Sequence, residues 1–285
     1  MLAIPSYAFG VVADNWSAGT PILAAGTVLA DPGATPHTKS ATTALVGTGI
    51  AQPAYLIEVW FFGTRVSGAD TSALCDIMYD PAGGTSWSVL IPNLICGYLS
   101  KTDDAKGMGS KYTFPLYVPR GASIGARWQS IVASPAAADR ATVLVTLYGG
   151  PSSPGFWYGT KVTDIGTDTA TSAGLDLDPG STGTYSAWTS IGGTSNPSFG
   201  FVTIGAQGSA TTHTADVYHV QYGAASTQFP GAIVRFVYTN LEAILFGPLA
   251  PPCFVDVPAG TQLQARATGS DATSENPSVA LYGVS

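Results

Sequence analysis

The chain is one unit of roughly 140 residues written twice, and an internal duplication of that length constrains the fold more than any single motif does. Phe9-Gly10 followed by Asp14 answers to Tyr158-Gly159 followed by Asp164, and Asp31-Pro32-Gly33 answers to Asp178-Pro179-Gly180. Further along, Phe62-Gly63 answers to Ile204-Gly205, and Val118-Pro119-Arg120-Gly121 with Ala126-Arg127 answers to Val257-Pro258-Ala259-Gly260 with Ala265-Arg266. Leu147-Tyr148-Gly149 answers to Leu281-Tyr282-Gly283. From the Asp-Pro-Gly pair onward the offset shrinks from 147 to 134 residues, as a second copy that has lost loop residues would show. Features present in both copies are therefore read as structural, and unmatched features are where contacts are sought.

Between turn signals such as Gly83-Gly84, Asn196-Pro197 and Pro258-Ala259-Gly260, short apolar runs recur. Tyr55 to Phe62, Ser88 to Ile91, Ser123 to Ile131 and Ala141 to Tyr148 predict strands in the first copy. Phe199 to Ile204, Ala215 to Tyr222, Ala232 to Thr239, Gln262 to Thr268 and Ser278 to Tyr282 do so in the second. Val143, Val145 and Leu147 alternate with Thr142 and Thr146, the period of two of a half-buried strand. No window carries a capped helical period. The expected fold is all-β, two tandem jelly-roll-like antiparallel β-sandwiches. The first domain spans 1–149 and the second 150–285, with a linker at about 149–155 containing Pro151 and Pro154. Residues 1–20, with the apolar run Tyr7 to Val12, are left to pack on the first domain or on a neighbour.

Only 10% of the residues are charged, against about 25% in an ordinary soluble domain, which points to a surface covered by neighbouring subunits. The net charge of −7 and eleven scattered Lys and Arg leave no footprint for nucleic acid. No apolar stretch is long enough for a membrane-spanning helix, and Met1 to Pro5 lacks the basic start of a signal peptide. Cys75, Cys96 and Cys253 are odd in number and share no framework between the copies, Cys75 aligning with Tyr218, so reduced thiols are expected.

Candidate chemistry is sparse. Gly121-Ala122-Ser123-Ile124-Gly125 has the G-x-S-x-G form of a nucleophile elbow, but Ala126 to Gln129 continue as strand where an elbow needs a helix. His213 and His219 on one strand are too far apart to share an ion, and His37 stands alone in a Pro-rich loop. Asp164, Asp168, Asp176 and Asp178 fit turn chemistry better than a calcium loop. The three Glu are too dispersed for a glycosidase pair. No enzyme activity, cofactor or metal is expected. What remains as possible interface or ligand contacts is the matched pair Arg127 and Arg266, the Trp157-Tyr158 step, and His213 and His219.

Asp76-Ile77-Met78-Tyr79-Asp80-Pro81-Ala82-Gly83-Gly84, then Val89-Leu90-Ile91-Pro92-Asn93-Leu94, then Phe114-Pro115-Leu116-Tyr117-Val118-Pro119-Arg120-Gly121 resembles a repeat of tailed-bacteriophage virion proteins. In that repeat a D-I-G-x-G-A-A-G strand and turn precede I-I-P-N-L-L and F-P-L-x-I-P-A-G-T-R-I-A-A-R strands, and the unit ends near L-Y-G. The second copy keeps Phe254, Val257 to Gly260, Ala265-Arg266 and Leu281 to Gly283, with Ile233 to Phe236 where Pro-Asn-Leu would stand. The resemblance implies a non-enzymatic particle component on a virion surface, made in the host cytoplasm. It would decorate the capsid or form part of the tail or fibre, contacting other virion proteins as a homo-oligomer, with a trimer favoured by analogy. A glycan- or receptor-binding module on a tail fibre, contacting host surface glycan through Trp157 and Tyr158, is the second reading. A double jelly-roll major capsid protein is the third.

Overall fold

The computed structural model describes residues 6–9, 15–17, 20–22, 27–33, 35–64, 71–99, 110–130, 140–149, 158–167, 174–207, 216–238, 253–270 and 276–285. These residues contain twenty strands and no helix. No helix among them is long and apolar enough to cross a membrane.

In the first sandwich one sheet joins β4 (Thr27–Val28), β11 (Arg140–Gly149), β6 (Ala54–Thr64) and β9 (Ser110–Phe114), with β1 (Ser6–Phe9) also along β11. The facing sheet runs β5 (Thr43–Val46), β10 (Ser123–Ser130), β7 (Thr71–Asp80), β8 (Ser88–Leu99). A small hairpin of β2 (Asn15–Ser17) and β3 (Thr20–Ile22) stands apart. Setting β1 and that hairpin aside, the order is first-eighth-third-sixth over second-seventh-fourth-fifth, which is a jelly roll.

The second sandwich repeats it. One sheet joins β13 (Leu175–Asp176), β20 (Ser278–Val284), β15 (Phe199–Gln207) and β18 (Cys253–Val257), with β12 (Val162–Ile165) also along β20. The other runs β14 (Thr189–Ile191), β19 (Leu263–Gly269), β16 (Asp216–Ala224), β17 (Thr227–Tyr238). Every pairing within the named sheets is antiparallel.

The matched Asp-Pro-Gly turns have a common cause. Asp31 and Asp178 each accept the N–H of the glycine two residues on, at 2.8 and 3.0 Å, and Gly33 and Gly180 take φ of +80° and +68°. Register corrects three of the sequence matches. Leu147 pairs with Ile57 and with Tyr7, while Leu281 pairs with Ile204 and with Ile165. Ile57 thus answers Ile204, and Tyr7 answers Ile165, in place of the Phe62-Gly63 and Phe9-Gly10 matches. Arg127 pairs with Asp76 and Arg266 with Gln221, so Cys75 answers Val220, two residues from Tyr218. A slip of two preserves the inward face, so Val220 and Tyr218 both point into the core as Cys75 does.

The cores are not independent. Trp128, Phe61, Phe114 and Leu74 fill the first sandwich, and that same cluster takes in Val162, Phe201, Ala280, Tyr282 and Val284 of the second. Val202, Ile204, Val279 and Leu281 point the other way, into the second core with Tyr218, Val220 and Tyr222. The sheet holding β15 and β20 is therefore covered on both faces, which is why Ser278 to Val284 is buried throughout.

Candidate functional site

Arg127 and Arg266 occupy the same register on the seventh strand of each sandwich, yet their surroundings differ. Arg127 Nε donates to Asp76 Oδ2 at 2.8 Å. Asp76 Oδ1 accepts from Lys39 Nζ at 2.8 Å and from the Asn93 backbone N–H at 2.9 Å. With its side chain only 4% exposed, this carboxylate requires such a shell, because an unpaired buried charge is costly. Burial holds the Lys39 ammonium below its usual pKa, with the attraction of Asp76 acting against that shift.

In the second sandwich Gln221 stands where Asp76 stands in the first. Arg266 Nε donates to Gln221 Oε1 at 2.8 Å, and its guanidinium carbon lies 4.8 Å from the Tyr185 ring and 4.7 Å from the Trp188 ring. Tyr218, Val220 and Tyr222 point into the core, so His219 and Gln221 point outward, with Arg235 directly opposite His219 on β17. Partial burial, and then Arg235, push the His219 pKa below its usual value. On this outer face no described carboxylate stands beside Arg266, while on the equivalent face of the first sandwich Asp76 pairs with both Arg127 and Lys39.

The second constellation lies where the sandwiches meet. Pro92 and Asn93 bulge opposite Asp76, since Leu94 pairs with Cys75 and Ile91 with Ile77. The missing N–H of Pro92 is tolerated there, and Asn93 takes φ of +47°. Asn93 Nδ2 donates to Asp164 Oδ2 at 2.8 Å, and the Thr167 hydroxyl donates to that same oxygen. The Tyr282 hydroxyl donates to Asn93 O at 2.7 Å and accepts the Ile95 N–H at 3.0 Å, while the Tyr112 hydroxyl donates to Ile95 O. Two phenols thus satisfy the free edge of β8. Burial raises the Tyr282 pKa well above its usual value, with Tyr112 adding to the shift, so the phenol stays protonated as a donor.

Tyr158 belongs to this seam. Its N–H donates to Pro115 O at 2.9 Å, and its ring lies 5.2 Å from Phe254 and over Gly200, where a Cβ would come within 2.6 Å of the ring. Tyr158 and Phe254 remain 44% and 58% exposed. Trp157 and His213 lie outside the described residues. Ser123 is buried within β10, which runs on through Arg127 without the helix of a nucleophile elbow. Asp164, Asp176 and Asp178 take separate partners, Asp176 accepting from the Ser278 hydroxyl, and Asp168 lies outside the described residues. Among the described residues no three metal-ligating side chains converge.

Sequence reasoning named Asp76 only within the resemblance, with no role as an ion-pair partner, and singled out neither Tyr185 nor Trp188. A polar Asp-Ile step in an apolar run, and two aromatics in the Ser/Thr/Gly-rich stretch 181–190, were the available signals.

No family model matches the chain, and no curated protein matches it. Among solved structures it is similar to PNGF-II at 6% identity and a TM-score of 0.40, covering 98% of this chain and 65% of that one, under two thirds of its length. It is similar to N-glycanase F (PNGase F) at 10% identity and a TM-score of 0.37, covering 98% of this chain and 96% of that one. A T=1 Penaeus vannamei nodavirus structure matches at 8% identity and a TM-score of 0.29, over 99% of this chain and 98% of that one. These likenesses are too distant to carry an argument about function.

Proposed function

We propose that the chain is a non-enzymatic structural component of a tailed-bacteriophage particle, decorating the capsid or forming part of the tail or fibre through contacts with other virion proteins. The observation that carries this reading is the use made of the residues behind the resemblance. Asp80 closes the Pro81 to Gly84 turn by accepting the N–H groups of Ala82 and Ser86 at 2.9 and 2.8 Å. Asn93 ties one sandwich to the other through Asp164 and Tyr282. Phe114 packs against Phe201 and Tyr282 across the same seam. Every one of these residues joins sheet to turn or sandwich to sandwich, so the residues behind the resemblance serve structure and none is left for chemistry in the described contacts. The chain divides at 149/150 into two such modules, and a trimer would present six similar sandwiches to a lattice of matching symmetry.

The test is fractionation of purified particles, with mass measurement of the isolated chain. Co-sedimentation with heads or tails and a trimeric mass are the expected results. A chain that stays monomeric and never travels with particles overturns the reading. Imaging of labelled particles then separates head from tail.

A further inference from the structure

We infer that the outer face of the β14-β19-β16-β17 sheet binds an anionic sugar, a ring bearing a carboxylate, through Arg266 and Arg235. The duplication supplies the control. In the first sandwich the equivalent arginine, Arg127, is paired with Asp76 and flanked by Lys39 on that same carboxylate. In the second, Gln221 takes the aspartate's place, so Arg266 keeps an acceptor for Nε and loses its counter-ion. Its position over Tyr185 and Trp188 fixes the guanidinium plane, and neither Nη nitrogen makes a hydrogen bond to a described residue. A guanidinium held this way is organised in advance for an end-on pair of hydrogen bonds to a carboxylate.

Arg235 is exposed and makes neither a hydrogen bond nor an ion pair to a described residue. It lies level with His219, while Arg266 lies level with Gln221 one strand further over. Ordinary strand geometry puts the two arginines about 12 Å apart at Cα, close to the span of a disaccharide. The other outward residues of the face include Val217, Ser190, Gln264, Thr268 and Ile233, and no Asp or Glu among the described residues joins them. A chain of net charge −7 thus gathers two of its six arginines on one acid-free face. Two aromatic rings that stay partly exposed beside the arginine favour a sugar over an acidic peptide, because the C–H face of a pyranose stacks on such rings.

This site is independent of particle assembly. The test titrates the full chain by calorimetry at low salt with an oligogalacturonate and with sialyllactose, using malto-oligosaccharide and poly-glutamate as comparisons. At least one acidic sugar binds and the neutral sugar does not. Gln221→Asp gives Arg266 the carboxylate partner that Arg127 has in the first sandwich, so a variant shown by its thermal midpoint to be folded weakens the acidic sugar about tenfold or more by pairing Arg266 internally. Should Gln221→Asp fail to fold, Arg235→Ala removes an exposed side chain with no partner among the described residues and must weaken binding severalfold. Three results overturn the inference: neither acidic sugar binds, both folded variants bind unchanged, or poly-glutamate binds as tightly as the sugar. The last would reassign the face to an acidic protein segment.

Discussion

Asn93 holds a left-handed backbone while three of its groups make hydrogen bonds, the N–H to Asp76, the carbonyl to Tyr282 and the amide to Asp164. Replacing it with alanine keeps the strain and deletes the link to Asp164, so Asn93→Ala should cost about 2–3 kcal/mol in chemical denaturation. Asn93→Gly relieves the φ and should cost clearly less. Equal losses would show that backbone conformation is irrelevant there. Cys253 is a second test at this scale. Its buried thiol has a pKa pushed up to about 11, so the thiolate is scarce at neutral pH. Alkylation of the folded protein should leave Cys253 unmodified until denaturant is added, and rapid native labelling would contradict its placement. At this scale the arginine match across the copies was legible in the sequence. Its meaning was not, because the exchange of Asp76 for Gln221 becomes visible only once the cross-strand register is known.

At the scale of elements, apolar runs bounded by turn signals were readable as strands, even where both faces are buried as at Ser278 to Tyr282. Ala141 to Tyr148 alternates cleanly and was placed to within a residue of β11. The strand β7, Thr71–Asp80, is buried almost continuously from Ala73 and shows no period of two, so only the resemblance, from Asp76, marked part of it as strand. The apolar run marked β8 only from Ser88 to Ile91 and the resemblance carried it to Leu94, yet it continues to Leu99 because a bulge accommodates the proline and Tyr282 satisfies the edge beyond it. That dependence makes a prediction. Tyr282→Phe strands the Ile95 N–H and the Asn93 carbonyl in a dry seam and should cost about 1–3 kcal/mol. Amide exchange should quicken at β8 while the centre of β16 stays protected. Uniform quickening would place the phenol's contribution in the whole fold instead of the seam.

For the whole molecule, the duplication suggested two self-sufficient halves, and the shared cluster through Phe114, Phe201 and Tyr282 gives a different expectation. The second sandwich borrows burial from the first, so separating them exposes Val162, Phe201 and Val284 to water. Calorimetry of the full chain should show one unfolding transition with matching calorimetric and van't Hoff enthalpies. Two resolved peaks would mean that the seam is weaker than its contacts. The linker sequence shows no sign of this coupling, because it arises from residues up to 189 positions apart in the chain.

A module whose edge strand docks on the face of the next could in principle repeat without end, as head-to-tail contacts generate filaments. Here the two sandwiches do not present the same receiving face. The receiving face of the second sandwich offers Gly205 and Ala280 beside Tyr282, whereas the equivalent positions of the first carry Glu58 and Thr146 beside Tyr148. Glu58 is already engaged by Lys111 at 2.9 Å, and that ionic patch occupies the place where another edge strand would seat. The duplication thus carries its own asymmetry: an edge strand that seats on the small residues of the second sandwich would meet a charged pair on the first, so the contact between the two halves is not one that identical units could pass on.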